Sequence, residues 1–218
     1  MKNKVISAEN AIGLIGNNST IATTGFRWAG SPELLLKKLG KQYEERKSPK
    51  NLTLVFSSSA GDGISNGIEH LAQKGIFERV IGGYWGLTPR LLSLALEGDF
   101  DAFNLPQGQL SNLYKAIASN SPGLITKTGL GTFVDPRVDG GRLNNKTPND
   151  LVDVISLRGE EYLIYKTFPI HFGFIRGTFA DHGGNISIEQ EAVHLEMLPL
   201  AMAVHSSGGK VIAQIRMW

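Results

Sequence analysis

The sequence contains no cysteine among its 218 residues. This absence excludes disulfides, thiolate metal sites and a cysteine nucleophile within the chain. The sequence also lacks any run of about 20 apolar residues, so no membrane-spanning helix is predicted. Residues 1–7 lack the apolar core of a secretory signal peptide, and the cytoplasm is therefore the expected location.

A strong charge of one sign is also lacking. The formal net charge is +2, with acidic and basic residues interspersed, which argues against a nucleic-acid-binding surface. The five histidines do not show the spacing of metal ligands, so no metal site is predicted. A content of 41% hydrophobic and 19% charged residues is typical of a globular protein.

The local signals of several enzyme classes are missing too. Three serines, residues 57–59, follow an apolar run, but no Gly-x-Ser-x-Gly sequence surrounds them. No Walker loop is present, and the glycines of residues 25–30 lack the spacing of a dinucleotide-binding fingerprint. Glu189 and Glu191 are expected on one strand face, either as solvated side chains or as paired carboxylates for acid–base catalysis.

Glycine, in contrast, is abundant, with 26 residues, where about 15 would be usual for this length. Four apolar runs each lead into glycines, which indicates a binding crevice at the carboxyl ends of parallel strands. The alternative is that these glycines only permit tight turns. The four runs are residues 21–24 before Gly25, 52–56 before Gly61 and Gly63, 80–81 before Gly82 and Gly83, and 124–125 before Gly129 and Gly131.

Helices are predicted between these strands. Ser31 is the expected N-cap of the first, with Pro32 at its first helical position. Three further helices are predicted over residues 65–74, 89–97 and 111–119. Alternating strands and helices over residues 1–147 predict an α/β fold, an open and largely parallel sheet with flanking helices.

The pattern changes after Thr147 to a β-rich, antiparallel section over residues 148–218. Two strands, 151–157 and 162–166, are separated by a hairpin signal. Residues 171–178 and 186–188 are predicted as two further strands, 195–207 as a helix with Pro199 in its first turn, and 211–215 as a last strand. The two sections together are expected to form a single domain over residues 1–218.

Gln107 is the main catalytic candidate. An apolar run ends at Leu105, and Pro106-Gln107-Gly108 follows, so a strand is expected to deliver a glutamine to a loop. A glutamine so placed can donate to a developing oxyanion without carrying charge. No nucleophile that needs such a donor is evident in the chain, so we expect half of an active site, with the other half elsewhere.

A longer set of signals runs along the chain. Its most specific segment is Gly129-Leu130-Gly131-Thr132-Phe133-Val134-Asp135-Pro136-Arg137, and the others are residues 81–86, 105–110, 140–144, 174–178, 203–205 and 208–212. Together these segments resemble family I CoA-transferases over nearly the whole chain. The resemblance is to the α-type, N-terminal half, and within the family to the acetate/propionate CoA-transferase branch.

The resemblance implies ping-pong transfer of coenzyme A from an acyl-CoA to a free carboxylate through a glutamyl-CoA thioester. Acyl-CoA would be a substrate, and no permanently bound cofactor is expected. Gln107 matches the glutamine of the family's oxyanion environment. Other positions would supply backbone N–H groups and space around the acyl end of the substrate: Gly25, Phe26, Ser59, Ala60, Gly61, Gly129 and Gly131.

One family feature is missing, because the sequence contains no Glu-x-Gly, the motif that carries the nucleophile. The glutamate is therefore expected from a β-type half, either a separate subunit or a continuation of the chain, in an oligomer. Two alternatives stay open on the same fold. One is a non-catalytic module that binds a phosphosugar or CoA, and the other is a thioester hydrolase, which would also need the missing glutamate.

Overall fold

A computed structural model describes residues 4–217 of the chain. The outermost positions of the predicted domain, residues 1–3 and 218, lie outside this range. Within it, none of the helices combines the length and the apolar composition that crossing a bilayer requires.

The larger sheet is almost entirely parallel, with strand order β10-β8-β1-β2-β3-β4. A short strand, β9, pairs antiparallel with β8. This confirms the predicted open, largely parallel α/β sheet. The strands are β1 (Thr20–Thr23), β2 (Leu52–Phe56), β3 (Phe77–Gly82), β4 (Asp101–Asn104), β8 (Phe172–Ala180), β9 (Ile186–Ser187) and β10 (Lys210–Met217).

Helices cover both faces of this sheet. Side chains alternate between the two faces along each strand, and neighbouring strand residues pack against different helices. Ile21 belongs to one buried cluster together with Leu39 of α2. Its neighbour Ala22 belongs to a second cluster, with Leu110 of α4 and Leu200 of α5. The helices are α1 (Ala8–Ile12), α2 (Glu33–Arg46), α3 (Pro89–Glu97), α4 (Gln107–Ala118) and α5 (Met197–Ser206), with a 3-10 helix over Gly67–Leu71.

A smaller antiparallel sheet has the order β5-β7-β6. Its strands are β5 (Gly123–Thr126), β6 (Val152–Leu157) and β7 (Glu160–Lys166). Arg158 and Gly159 connect β6 to β7 with φ angles of 53° and 82°. Positive φ at both central residues is typical of the type I′ turn, a common two-residue hairpin connection. The predicted hairpin is confirmed, and so is the presence of an antiparallel section, which β5, β6 and β7 form.

Four strands lie in a different sheet from the one expected, namely β5, β8, β9 and β10. The strand at Leu124-Ile125 was expected in the parallel sheet but pairs antiparallel with β7. The strand at residues 171–178 was expected in the antiparallel section, whereas β8 lies between β10 and β1 and is parallel to both. β9 and β10, expected in the same section, belong with β8 to the larger sheet. An apolar run predicts that a strand is buried but does not identify its neighbours, and this explains these errors.

Two helix predictions between residues 31 and 74 were wrong in detail. Residues 65–74 form only the short 3-10 helix, because Asp62 accepts hydrogen bonds from the backbone N–H groups of Ile64 and Ser65 and so competes with a regular helix. Ser31 is not the N-cap of α2. Pro32 occupies that position, and the Ser31 hydroxyl is buried without a partner.

Candidate active site

The carboxyl ends of β1, β2, β3 and β4 lie along one edge of the sheet, here called the carboxyl edge. These strands are parallel neighbours, so the segments that follow them meet there. The segments are residues 24–31, 57–66 and 83–88, and the start of α4 at Gln107.

The loops after β1 and β2 hold each other through backbone hydrogen bonds. The Arg27 N–H donates to the Ser59 carbonyl at 3.0 Å, and the Gly61 N–H donates to the Arg27 carbonyl at 2.7 Å. Gly25 has φ +123°, and a Cβ there would lie 2.9 Å from the Cβ of Ala60. The structure therefore brings five of the predicted site positions together, namely Gly25, Phe26, Ser59, Ala60 and Gly61.

Two of these positions differ from the expected arrangement in their backbone groups. The N–H of Phe26 donates to the Ala29 carbonyl, and the N–H of Gly61 is engaged with Arg27 as described. Both N–H groups are thus used to build the loops. What Phe26 offers at the surface is its side chain, which is 42% exposed.

The serine turn, residues 57–59, connects three elements. The Ser57 hydroxyl donates to the Glu196 carboxylate at the start of α5. The Ser58 hydroxyl accepts from Nε2 of Gln107 at 2.6 Å, and the Ser59 hydroxyl donates to the Tyr84 carbonyl after β3. All three serines are buried, so their hydroxyls hold the carboxyl edge together.

Gln107 is the first residue of α4, not a loop residue as predicted. Its backbone approaches the loop after β3 closely, since a Cβ on Gly83 would lie 3.0 Å from both Cα and Cγ of Gln107. The residue itself is exposed. A carboxamide nitrogen carries two hydrogens, so the bond to Ser58 orients Nε2 and leaves one hydrogen for a further acceptor.

Glu196 is a buried carboxylate that sequence analysis did not select. It is 7% exposed, and burial raises its pKa, although the hydrogen bond from Ser57 opposes this effect. The buried Tyr114 hydroxyl, which has no hydrogen-bond partner, has its pKa raised by burial and by the Glu196 charge. The available signal was one acidic residue within the otherwise apolar stretch from Leu195 to Leu198.

Gly129 and Gly131 lie in the segment between β5 and β6. A Cβ on Gly129 would meet the Tyr165 hydroxyl at 2.6 Å, and the Gly131 N–H donates to Asp135 at 2.9 Å. Asp135 is buried and accepts from Nε and Nη2 of Arg137 at 2.9 and 2.8 Å. These bonds hold its pKa well below the usual range. Within residues 4–217, the contacts of Gly129 and Gly131 are therefore with their own segment and with β7. None of these contacts is with the loops after β1 and β2, where five of the other predicted site positions lie.

Two of the remaining acidic and histidine candidates, Glu191 and His171, have structural partners. Glu189 and Glu191 lie in the turn after β9, so the prediction that they share a strand face was wrong. Glu191 accepts from Nε of Arg176 at 3.1 Å. The backbone N–H of Thr20 donates to Nδ1 of His171 at 2.8 Å. Residues 4–217 contain no group of three or more acidic or histidine side chains that could hold a metal ion.

Two hollows of about 350 and 400 Å³ lie at the C-terminal ends of α4 and α5. Gln107 lies at the opposite end of α4. The carboxyl edge is instead an open surface with large exposed side chains. Phe26, Trp28 and Tyr84 are 42%, 55% and 43% exposed there.

Comparison with known proteins assigns this arrangement to a family. The sequence model described as "Coenzyme A transferase" matches residues 5–215. Acetate CoA-transferase YdiF of Escherichia coli K12 is 37% identical over 216 residues, which are 97% of this chain and 40% of that protein. The acetate CoA-transferase subunit alpha of the same organism is 25% identical over 192 residues, covering 88% of this chain and 78% of the subunit.

The fold agrees with that of a solved relative. The apoenzyme crystal structure of acyl-CoA transferase YdiF from Escherichia coli O157:H7 matches with a TM-score of 0.94 and 35% identity, covering 99% of this chain and 42% of that one. The chain thus spans about two fifths of the length of YdiF. It matches the α-type half of such enzymes, and it belongs to the coenzyme A transferase family.

Proposed function

We propose that this chain is the α half of an enzyme that moves coenzyme A between a short-chain acyl-CoA and a free carboxylate, such as acetate, propionate or a 3-oxoacid. The observation that carries the proposal is Gln107, an exposed carboxamide at the carboxyl edge, oriented by Ser58. A neutral, preorganised donor suits the oxyanion of acyl transfer. Such oxyanions form at each step of CoA transfer.

The proposed reaction uses a glutamate from a β-type half. Its carboxylate attacks the thioester carbonyl carbon. This step expels the CoA thiolate and forms an acyl–glutamyl anhydride on the enzyme. The thiolate then attacks the glutamyl carbonyl and releases the first carboxylate, which leaves an enzyme–CoA thioester. The second carboxylate reverses the two steps and leaves as the new acyl-CoA. Gln107 would donate to the oxyanion of each tetrahedral intermediate.

The carboxyl edge would provide the acyl end of the site. Gly25 and Ala60 are so close that a larger residue at position 25 would displace the loop after β1 or β2. In the proposed site, these two small residues would keep space for the acyl group beside Phe26. Gly129 and Gly131 would act less directly, by shaping the segment that reaches β4 through the Asn104 N–H and the Gly141 carbonyl at 2.7 Å. Coenzyme A is a substrate in this scheme.

The relatives' lengths support a second half. This chain spans 40% of YdiF, yet 78% of an alpha subunit, so the remaining part would be a continuation in one arrangement and a partner subunit in the other. The test is CoA exchange between acetyl-CoA and propionate, with this chain alone and with a complementary β-type half. We expect activity only in the mixture.

Other outcomes would contradict the proposal. Activity of the chain alone would place a nucleophile within these 218 residues and exclude a split site. A folded chain that is inactive in both assays, but binds CoA or a phosphosugar, would favour a non-catalytic binding module.

A further inference from the structure

The buried carboxylate of Glu196 has no part in the transfer scheme above. A buried ionisable group is costly unless it is hydrogen-bonded, and the hydrogen bond here comes from Ser57, which lies 139 residues away in the sequence. Glu196 is also the N-cap residue of α5, directly before Met197. It therefore ties the start of α5 to the serine turn.

The serine turn leads directly to Gln107. Ser58, adjacent to Ser57, accepts the Gln107 Nε2–H at 2.6 Å. Gly83 lies between the serine turn and Gln107, because a Cβ on it would collide with the Ser57 carbonyl and with Gln107. Ser59 holds the same loop through the Tyr84 carbonyl. A shift of Ser57 in this packing must move Ser58 as well.

We propose that Glu196 is a positioning residue, which fixes the serine turn through Ser57 and thereby sets the direction of the Gln107 carboxamide. This inference rests on the proposed function of Gln107. An oxyanion donor must lie about 2.7–3.1 Å from the charge that develops, and a displacement of about 1 Å can cost 100-fold in rate. Glu196 itself touches no reacting atom in this scheme.

The first test measures CoA exchange by the chain combined with its β-type half. Glu196→Leu and Ser57→Ala each remove the hydrogen bond, and we expect kcat to fall by roughly tenfold with KM for the carboxylate changed less than about twofold. Glu196→Gln retains an acceptor for Ser57 and should restore kcat to within about threefold. The control is Glu191→Gln, a second acid in the same segment that is paired with Arg176, and its kcat should be unchanged.

A double-mutant cycle separates positioning from a general loss of structure. If Glu196 acts through Gln107, Glu196→Leu should cause no further loss of kcat in the Gln107→Ala background. Equal losses in both backgrounds, or a normal kcat for both Glu196→Leu and Ser57→Ala, would overturn the proposal. A normal kcat for Gln107→Ala alone would instead refute the function proposed for Gln107.

A second readout needs no activity. The side-chain NH₂ signals of Gln107 can be assigned in ¹H–¹⁵N spectra of the chain by their disappearance in Gln107→Ala. We expect Ser57→Ala and Glu196→Leu to shift these signals and Glu191→Gln to leave them in place. Unchanged Gln107 signals in a folded Ser57→Ala variant would overturn the proposal even if the transfer assay were silent.

Discussion

At the scale of single residues, neutral side chains organise the carboxyl edge. Three serine hydroxyls hold α5, α4 and the loop after β3, and Gln107 is the group left partly available to a ligand. Neutral donors would suit the proposed enzyme, in which anionic carboxylates enter and leave the site. They stabilise developing charge in the transition state without holding the free carboxylate as tightly as a cation would.

Replacing Gln107 with alanine should lower kcat of the complemented enzyme by about 100-fold or more, because loss of one oxyanion donor costs about 3 to 4 kcal/mol in the transition state. Gln109→Ala, two residues further along α4, serves as the matched control and should retain normal turnover. Steady-state CoA exchange measures both. Near-normal turnover of Gln107→Ala would exclude the oxyanion role.

Glu196 also predicts how stability depends on pH. Burial raises its folded-state pKa above the ordinary 4.5, so folding favours the protonated form. Its contribution to stability is present below pH 4.5 and is lost as pH rises through the folded-state pKa. Glu196→Gln has no such titration. Its free energy of unfolding, relative to the parent chain, should therefore increase with pH.

Urea unfolding of the parent chain and of Glu196→Gln between about pH 4 and pH 8 measures this difference. Glu69, whose pKa is also raised by burial, is present in both proteins and cancels. Tyr114, whose pKa is raised by burial and by the Glu196 charge, ionises far above this range. A difference that stays constant with pH would mean that Glu196 keeps an ordinary pKa when folded.

At the scale of secondary structure, α3 is stabilised by a residue from outside its own sequence. Thr88, at its N-cap, makes no side-chain capping bond. The buried Glu69 carboxylate of the 3-10 helix accepts instead from the backbone N–H groups of Arg90 and Leu91, both at 3.2 Å. A carboxylate at a helix N-terminus satisfies unpaired N–H groups and complements the helix dipole.

Glu69→Ala should therefore lower the free energy of unfolding by about 2 kcal/mol, since it leaves the buried Leu91 N–H and the partly buried Arg90 N–H without an acceptor. Glu97→Ala, at the exposed end of α3 where Glu97 pairs with Lys74, should change it by less than about 1 kcal/mol. Urea unfolding of both variants makes the comparison. Equal effects would show that α3 does not depend on Glu69.

Local signals predicted some element boundaries well and others poorly. Pro89 and Gly98 delimit α3 as expected, and Gly98 adopts the left-handed conformation with φ 75°. Pro106 misled the prediction of α4. It stands at the N-cap, where proline is compatible with a helix start, so the helix begins at Gln107 and not at Ser111.

At the scale of the whole molecule, the sheet brings together groups that are distant along the chain. The carboxyl edge combines them with the exposed side chains of Phe26, Trp28 and Tyr84. Exposed apolar side chains clustered beside polar groups mark interaction surfaces. In the proposed enzyme, the substrate and the β-type half would both meet this edge.

Binding of the β-type half should consequently shield Trp28, which is 55% exposed. Acrylamide quenching of tryptophan fluorescence, with and without the second half, measures this. The same titration on Trp28→Phe reports the other tryptophans, and the protection should disappear in that variant. Unaltered quenching of the parent chain in an active complex would mean that the second half binds another surface.

The sequence by itself determined the class of fold, the 158–159 hairpin and the ends of α3, because these depend on periodicity and on glycine and proline signals within a few residues. It also selected Gln107 as the candidate oxyanion donor, which stays a prediction. Only the tertiary structure decided that β5 and β8 exchange their expected sheets, and that Gln107 meets Ser58 across 49 positions and Glu196 meets Ser57 across 139. The physical reason is that burial and periodicity specify which face of an element is covered, whereas the covering partner depends on how all the elements pack together.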